Sequence, residues 1–306
     1  MKFRTGPGGS KRRAVLALAF CLAAPQVSPG AWTLVWQDEF ERDGHPDPAK
    51  WGYEEGYVRN NEVQYYMRRR LKNARVEKGM LVIEAHRESL PNPRHDGSSD
   101  RWQRRQRTIE YTSASLTTQD KASWAHGRIE VRARLPRGQG VWPAIWMLGA
   151  NRSQVGYPKC GEIDIMEFVG HTPSTIHGTV HYPPAKPGGG QFKDSRGGTI
   201  QTDAPWKDFH VYAIEWTPER IDFFLDDRPY FTFAIDDAGR GPENPFRKPH
   251  YLLINFALGG SWGGKVDDSI LPQRYEIDYV RVYERTPSSA PPAGGRPVAP
   301  QSAPRN

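Results

Sequence analysis

The sequence predicts an all-β fold, a sandwich of two antiparallel sheets of jelly-roll type. Three observations predict it. The middle of the 306-residue chain is a succession of short runs in which β-branched and aromatic residues alternate with polar ones. Turn chemistry separates these runs, as in PRGQG, PPAKPGGG and DDAGRGPENP. No segment of a dozen residues carries a clean 3.6-residue period, and no repeat of blade length points to a propeller.

The chain opens unlike its middle. Lys2, Arg4, Lys11, Arg12 and Arg13 precede an apolar stretch from Ala14 to Ala24, and a Pro/Ser/Gly-rich exit follows to Gly30. That is the layout of a secretory signal peptide over residues 1–31, and its apolar part is too short to span a bilayer. Cys21 follows Phe20, where a lipoprotein signal wants a small residue. The formal charge of +7 falls to about +2 once these five cations leave, so the high pI is no argument for a nucleic-acid partner. Only Cys160 then remains, which excludes an internal disulfide and leaves the core, or a metal, to hold a secreted domain. From Thr286 the chain reads TPSSAPPAGGRPVAPQSAPRN, with almost nothing to bury; residues 286–306 are expected to be a disordered tail. The folded unit is therefore placed at residues 32–285.

Within it, GMLVIEAHR, HGRIEVRARL, HVYAIEWT, RIDFFLDDRPYFTF, HYLLINFAL and YEIDYVRVYE read as strands with one buried face each. Residues 88–107 break the pattern and are expected to form a long surface loop. The cations between Arg68 and Arg107 read as a solvated face rather than a site for an anionic polymer.

The chemistry lies in Gly161-Glu162-Ile163-Asp164-Ile165-Met166-Glu167-Phe168. Glu162 and Asp164 share a face of a regular strand while Ile163 and Ile165 point to the core. Glu167, five residues from Glu162, falls on the opposite face unless a β-bulge at Ile165-Met166 adds one residue. With the bulge, three carboxyls line one surface, and their repulsion makes at least one hold a proton near neutral pH. One ionised and one protonated carboxyl about 5–5.5 Å apart is what a retaining glycosidase requires. A solvated acidic face needs no bulge, and a calcium ladder normally draws on loops and carbonyls.

GEIDIMEFVG resembles the active-site signature of glycoside hydrolase family 16, in the bulged form of laminarinase-like endo-β-1,3-glucanases. The resemblance extends in the family's order through LVWQDEF (34–40), NNEVQYY (60–66), YTSASLTT (111–118), HGRIEVRARLP (126–136), GVWPAIWMLG (140–149), TIHGTVHY (175–182), INFALGGSWGG (254–264) and IDYVRVY (277–283). It implies a jelly roll with a concave substrate groove and a retaining double displacement on β-1,3 or mixed β-1,3/1,4-glucans. Glu162 would be the nucleophile, Glu167 the acid/base, and Asp164 would tune both.

A glucan groove needs aromatic platforms and hydrogen-bonding side chains. Trp142 and Trp146, four apart, share a strand face, and the resemblance places them in the groove, although Trp146 also suits a core. Trp262, in GGSWGG, has little core to join and reads as a stacking platform. The resemblance also assigns hydroxyl-binding roles to Asn61 and Arg68 and an active-site role to His181. His177 and His181 lack a third metal ligand nearby. Asn255 reads equally as a groove-edge residue or a buried amide.

The same resemblance implies a structural Ca2+ at Glu39, the Gly79 carbonyl and Asp278. It implies no cofactor for catalysis. The expected partner is a β-glucan polysaccharide, with no nucleic acid, no membrane once the signal is removed, and a monomeric chain. Alternatives are a transglycosylase, a galactan hydrolase of the same family, or a non-catalytic glucan-binding recognition protein; the last suits relatives that have lost catalytic acids, whereas this chain keeps all three. In YPKCG, Tyr157 stands near where laminarinase-like relatives have a tryptophan.

Overall fold

Alternation along the strands produces two sheets that close on one core. In the computed structural model, residues 31–184 and 192–286 are described, and Trp32–Thr286 forms one compact unit. Residues 1–30, which hold the expected signal peptide, and nearly all of the expected tail lie outside the described residues. The predicted strands appear as Met80–Pro91, Gly127–Arg134, His210–Trp216, Arg220–Leu225, Arg228–Ala234, His250–Leu258 and Gln273–Arg285. Among the described residues the α-helices are single turns, Trp102–Arg105, Arg152–Val155 and Gly260–Gly263, in keeping with the missing 3.6-residue period.

One sheet has ten strands and the other seven. Pairing is antiparallel throughout apart from Gln64–Tyr66 against Thr108–Ser113. The seven-stranded sheet runs, edge to edge, Asp194–Gln201, Thr175–Tyr182, Glu162–Glu167, Val141–Gly149, His250–Leu258, Ser115–Thr117 and Gly52–Tyr53. Its inner face gives Val141, Ile145, Met147, Ile163, Ile165, Ile254 and Phe256 to the main core. Val141–Gly149 and His250–Leu258 are buried along their whole length, because the outer face of this sheet is covered too. There Ala144, Trp146, Leu148, Tyr251, Leu253 and Cys160 form a second cluster. A strand with one wet face exposes every other residue, whereas these two are covered on both faces.

The ten-stranded sheet carries cross-strand ion pairs: Arg128 with Glu215, Arg132 with Asp278, and Arg134 with Glu276. Residues 88–91 correct the expected loop. They extend the Met80–Pro91 strand, and Glu88 receives Arg70, Lys72 and Thr112. Many cations of the 68–107 segment are likewise matched, Arg75 by Glu77 and Glu84, Arg87 by Glu110, and Arg94 by Glu55.

Candidate active site

The acidic strand enters the sheet through Gly161, whose φ of +77° is a region that favours glycine; a Cβ there would stand 2.6 Å from Pro245 Cβ. Against the tryptophan strand, Asp164 pairs with Trp146 and Met166 with Ile145, so Ile165 is the extra residue. Against the histidine strand, Asp164 pairs with Thr179 and Glu167 with His177. The bulge lets Ile165 and Met166, adjacent in sequence, both enter the core and returns Glu167 to the face of Glu162 and Asp164. All three acids line one cavity of about 610 Å³ on the outer face of the seven-stranded sheet.

Glu167 has a partner of its own, whereas Asp164 and Glu162 share one. Trp142 donates its indole Nε1–H to Glu167 Oε1 at 3.0 Å. His181 Nε2 lies 3.3 Å from Asp164 Oδ2 and 3.8 Å from Glu162 Oε1. Burial, then the charge of Asp164, pushes Glu162 up to about 7, against the opposing pull of His181, Lys193 and Arg59. Burial likewise raises Glu167, reinforced by the charges of Asp164 and Glu162 and opposed by the Trp142 hydrogen bond. Burial raises Asp164 as well, opposed by Lys193 and by a hydrogen bond with Glu162. Three carboxyls so close on a shielded floor cannot all be ionised, so at least one proton stays with the group at neutral pH. His181 is lowered, chiefly by burial, toward the neutral imidazole.

The aromatic walls are fixed by polar contacts. Asn255 Oδ1 accepts from Trp146 Nε1 at 2.7 Å, and Asn255 Nδ2 donates to the Tyr66 hydroxyl at 2.9 Å. That hydroxyl in turn donates to Glu62, so a buried chain of hydrogen bonds sets the plane of Trp146. Asn255 is thus both a cavity residue and a buried, satisfied amide. The Arg59 guanidinium lies over the other side of the Trp146 ring, 4.8 Å from its centre. At the opposite end Trp262 meets Trp142 edge-on at 5.6 Å and His177 at 4.9 Å.

Of the sequence-predicted groove residues, Trp142, Trp146, His181, Asn255 and Trp262 line the cavity with the three acids. Asn61 and Arg68 do not; both are exposed away from it. Their places are taken by Asn60 and Arg59. The turn through Asn60 and Asn61, both at positive φ, brings Asn60 to the cavity, where its amide donates to Glu62. Arg59 pairs with Glu54 beneath it. The NNE triplet marks this turn in the sequence, but backbone handedness decides which asparagine faces inward. Tyr157, Phe192 and Lys193 also line the cavity.

The expected calcium ligands do not fit a cation as they stand. Both oxygens of Glu39 accept from Arg281, at 2.7 and 2.8 Å, and Asp278 is paired with Arg132. Among the described residues, the group of acids and histidines close enough to hold a metal is Glu162, Asp164 and His181, within the acidic cavity itself.

The sequence model described as Glycosyl hydrolases family 16 matches residues 60–281. The chain is 47% identical over 263 residues to a beta-glucanase of Rhodothermus marinus, covering 82% of this chain and 85% of the relative. It is 37% identical to a glucan endo-1,3-beta-glucosidase of Cryptopygus antarcticus, covering 87% and 96%. The crystal structure of the laminarinase from Rhodothermus marinus superposes with a TM-score of 0.72 at 46% identity, covering 84% of this chain and 99% of that one.

Proposed function

Because the chain belongs to glycosyl hydrolases family 16, we propose that it is a retaining endo-β-glucanase acting on β-1,3 or mixed β-1,3/1,4 linkages. The observation that carries this reading is the bulge, which puts Glu162, Asp164 and Glu167 on one cavity floor. The linkage preference draws on what the relatives are named for.

In the first step Glu167, protonated, gives its proton to the glycosidic oxygen while the Glu162 carboxylate attacks the anomeric carbon from the other side. The C–O bond to the leaving sugar breaks as the bond to Glu162 forms. In the second step the Glu167 carboxylate takes a proton from water, whose oxygen displaces Glu162. Asp164, between the two, raises both Glu162 and Glu167 through its charge, so the group keeps a proton for Glu167 to give. Trp142 holds Glu167 through its indole N–H, and Trp142, Trp146 and Trp262 offer faces to the sugar rings.

Glu162→Gln should retain glucan binding and lose turnover by about a thousandfold or more. Hydrolysis at the original rate would remove Glu162 from the nucleophile's role.

The basic and apolar start of the chain supports export from the cytoplasm. A structural calcium ion at Glu39, Gly79 and Asp278 would require Glu39 to leave Arg281, Asp278 to leave Arg132, and main-chain carbonyls to supply other ligands. Melting curves in chelator and in excess calcium decide that point: a higher Tm with calcium supports the ion, and superimposed curves reject it.

A further inference from the structure

Lys193 and Tyr157 form a contact that the double displacement leaves unused. Lys193 Nζ donates to the Tyr157 hydroxyl at 3.0 Å and lies 5.6 Å from the centre of its ring. Both residues line the same cavity as Glu162. The Tyr157 ring is held on two sides. It packs against the cluster of Trp146, Leu148 and Cys160, and Phe192 tilts against it with ring centres 5.9 Å apart. The hydroxyl is therefore a fixed point beside the acidic strand rather than a free rotor. Among the described residues Lys193 and Arg152 line the cavity without a carboxylate salt-bridge partner, whereas Arg59 and the sheet cations Arg128, Arg132 and Arg134 each have one.

From this arrangement we propose that Lys193, acting through the Tyr157 hydroxyl, is a positioning residue that keeps Glu162 oriented and ionised for attack. The ammonium donates to the phenolic oxygen, so the phenolic proton is left for another acceptor of the cavity that Tyr157 shares with Glu162. Burial, the negative fields of Glu162 and Asp164, and a hydrogen bond with Glu162 push the Tyr157 hydroxyl well up, so it stays a donor at every working pH. The Lys193 charge in turn favours the ionised forms of Glu162 and Asp164.

Other groups also face Glu162. Asp164 and Glu167 lie on its own strand, His181 on the histidine strand, Arg59 at the 59–62 turn, and Cys160 and Tyr157 on the segment leading into the acidic strand. Of the cations among these, Arg59 is already paired with Glu54, and His181 is lowered toward neutrality. Lys193 is left, among the described residues, as the full positive charge acting on Glu162 that has no carboxylate salt-bridge partner.

This inference rests on Glu162 being the nucleophile, and the test separates the two. The pH dependence of kcat/KM on laminarin is measured for the wild type and for Lys193→Met, Lys193→Arg, Tyr157→Phe and Glu162→Gln. Loss of the cation disfavours ionised Glu162, so the acid limb of Lys193→Met should move to higher pH by about 0.5–1 unit. The plateau should change less than the limb. Tyr157→Phe should move the limb in the same direction, and Lys193→Arg should return it toward the wild type. An acid limb that superimposes on the wild type in both Lys193→Met and Tyr157→Phe overturns the inference. So does a plateau that falls while the limb stays in place, which is what a merely structural contact would give. A Glu162→Gln enzyme that still turns over overturns the nucleophile assignment itself, whatever the limbs do.

Discussion

Asp164 stands opposite Thr179 and Glu167 opposite His177, so three steps along the acidic strand match two along its neighbour. That mismatch turns a five-residue spacing into a shared face for Glu162 and Glu167. Burying Ile165 and Met166 together makes the bulge part of the core, and the core thereby enforces the register of the site.

Asp164 raises both of its neighbours by its charge. Replacing it with asparagine removes that charge, so Glu162 ionises and Glu167 loses its proton at lower pH. Both limbs of the kcat/KM profile of Asp164→Asn should therefore move toward acid, with a rate loss of about 10- to 100-fold at the optimum. A pH–rate profile measures both effects at once.

The Trp142 indole stabilises the charged form of Glu167. Trp142→Phe keeps an aromatic wall and removes the donor, so Glu167 should hold its proton to higher pH. The alkaline limb should rise by about 0.5–1 unit. KM for laminarin should change less than kcat, because the ring that stacks on sugar is largely preserved.

Much of this was legible in the sequence, for definite reasons. Strands such as Gly127–Arg134 reveal themselves because one face is wet, and the bulge because an odd spacing of acids makes no chemical sense without it. Trp142 and Trp146 share a face by arithmetic alone. Asn61 and Arg68 lie outside the cavity lining, because the left-handed turn through Asn60 and Asn61, not a strand period, decides which side chain faces the cavity. Lys193 meets Tyr157 across 36 residues, and no local pattern signals that contact. Glu88–Pro91 read as loop because its stabilising partners, Arg70 and Thr112, lie on other strands.

Asn255 holds Trp146 and Tyr66 at once. Asn255→Ala leaves a buried indole N–H without its acceptor and removes a donor from the Tyr66 hydroxyl. Denaturant unfolding should show a loss of about 1–3 kcal/mol. KM should rise as well, since the Trp146 ring is no longer locked in plane.

Burial, then the charge of Asp164, pushes Glu162 up to about 7 in the fold from its ordinary value of about 4.5. For a carboxyl raised on folding, the penalty is absent below the unfolded pKa, grows from there to about pH 7, and is full above it. Glu162→Gln removes a group that must be buried charged at pH 8. Its Tm should exceed that of the wild type at pH 8, and the difference should shrink toward pH 4. Paired thermal melts at the two pH values check the sign.

The most direct test of the account is to trap the covalent intermediate with a 2-deoxy-2-fluoro-β-laminaribiosyl fluoride and map the labelled peptide by mass spectrometry. The fluorine slows the second displacement more than the activated first, so the sugar should accumulate on the nucleophile. A single label on Glu162 is expected. A label on Asp164 or Glu167, or steady turnover with no label on Glu162, would contradict it.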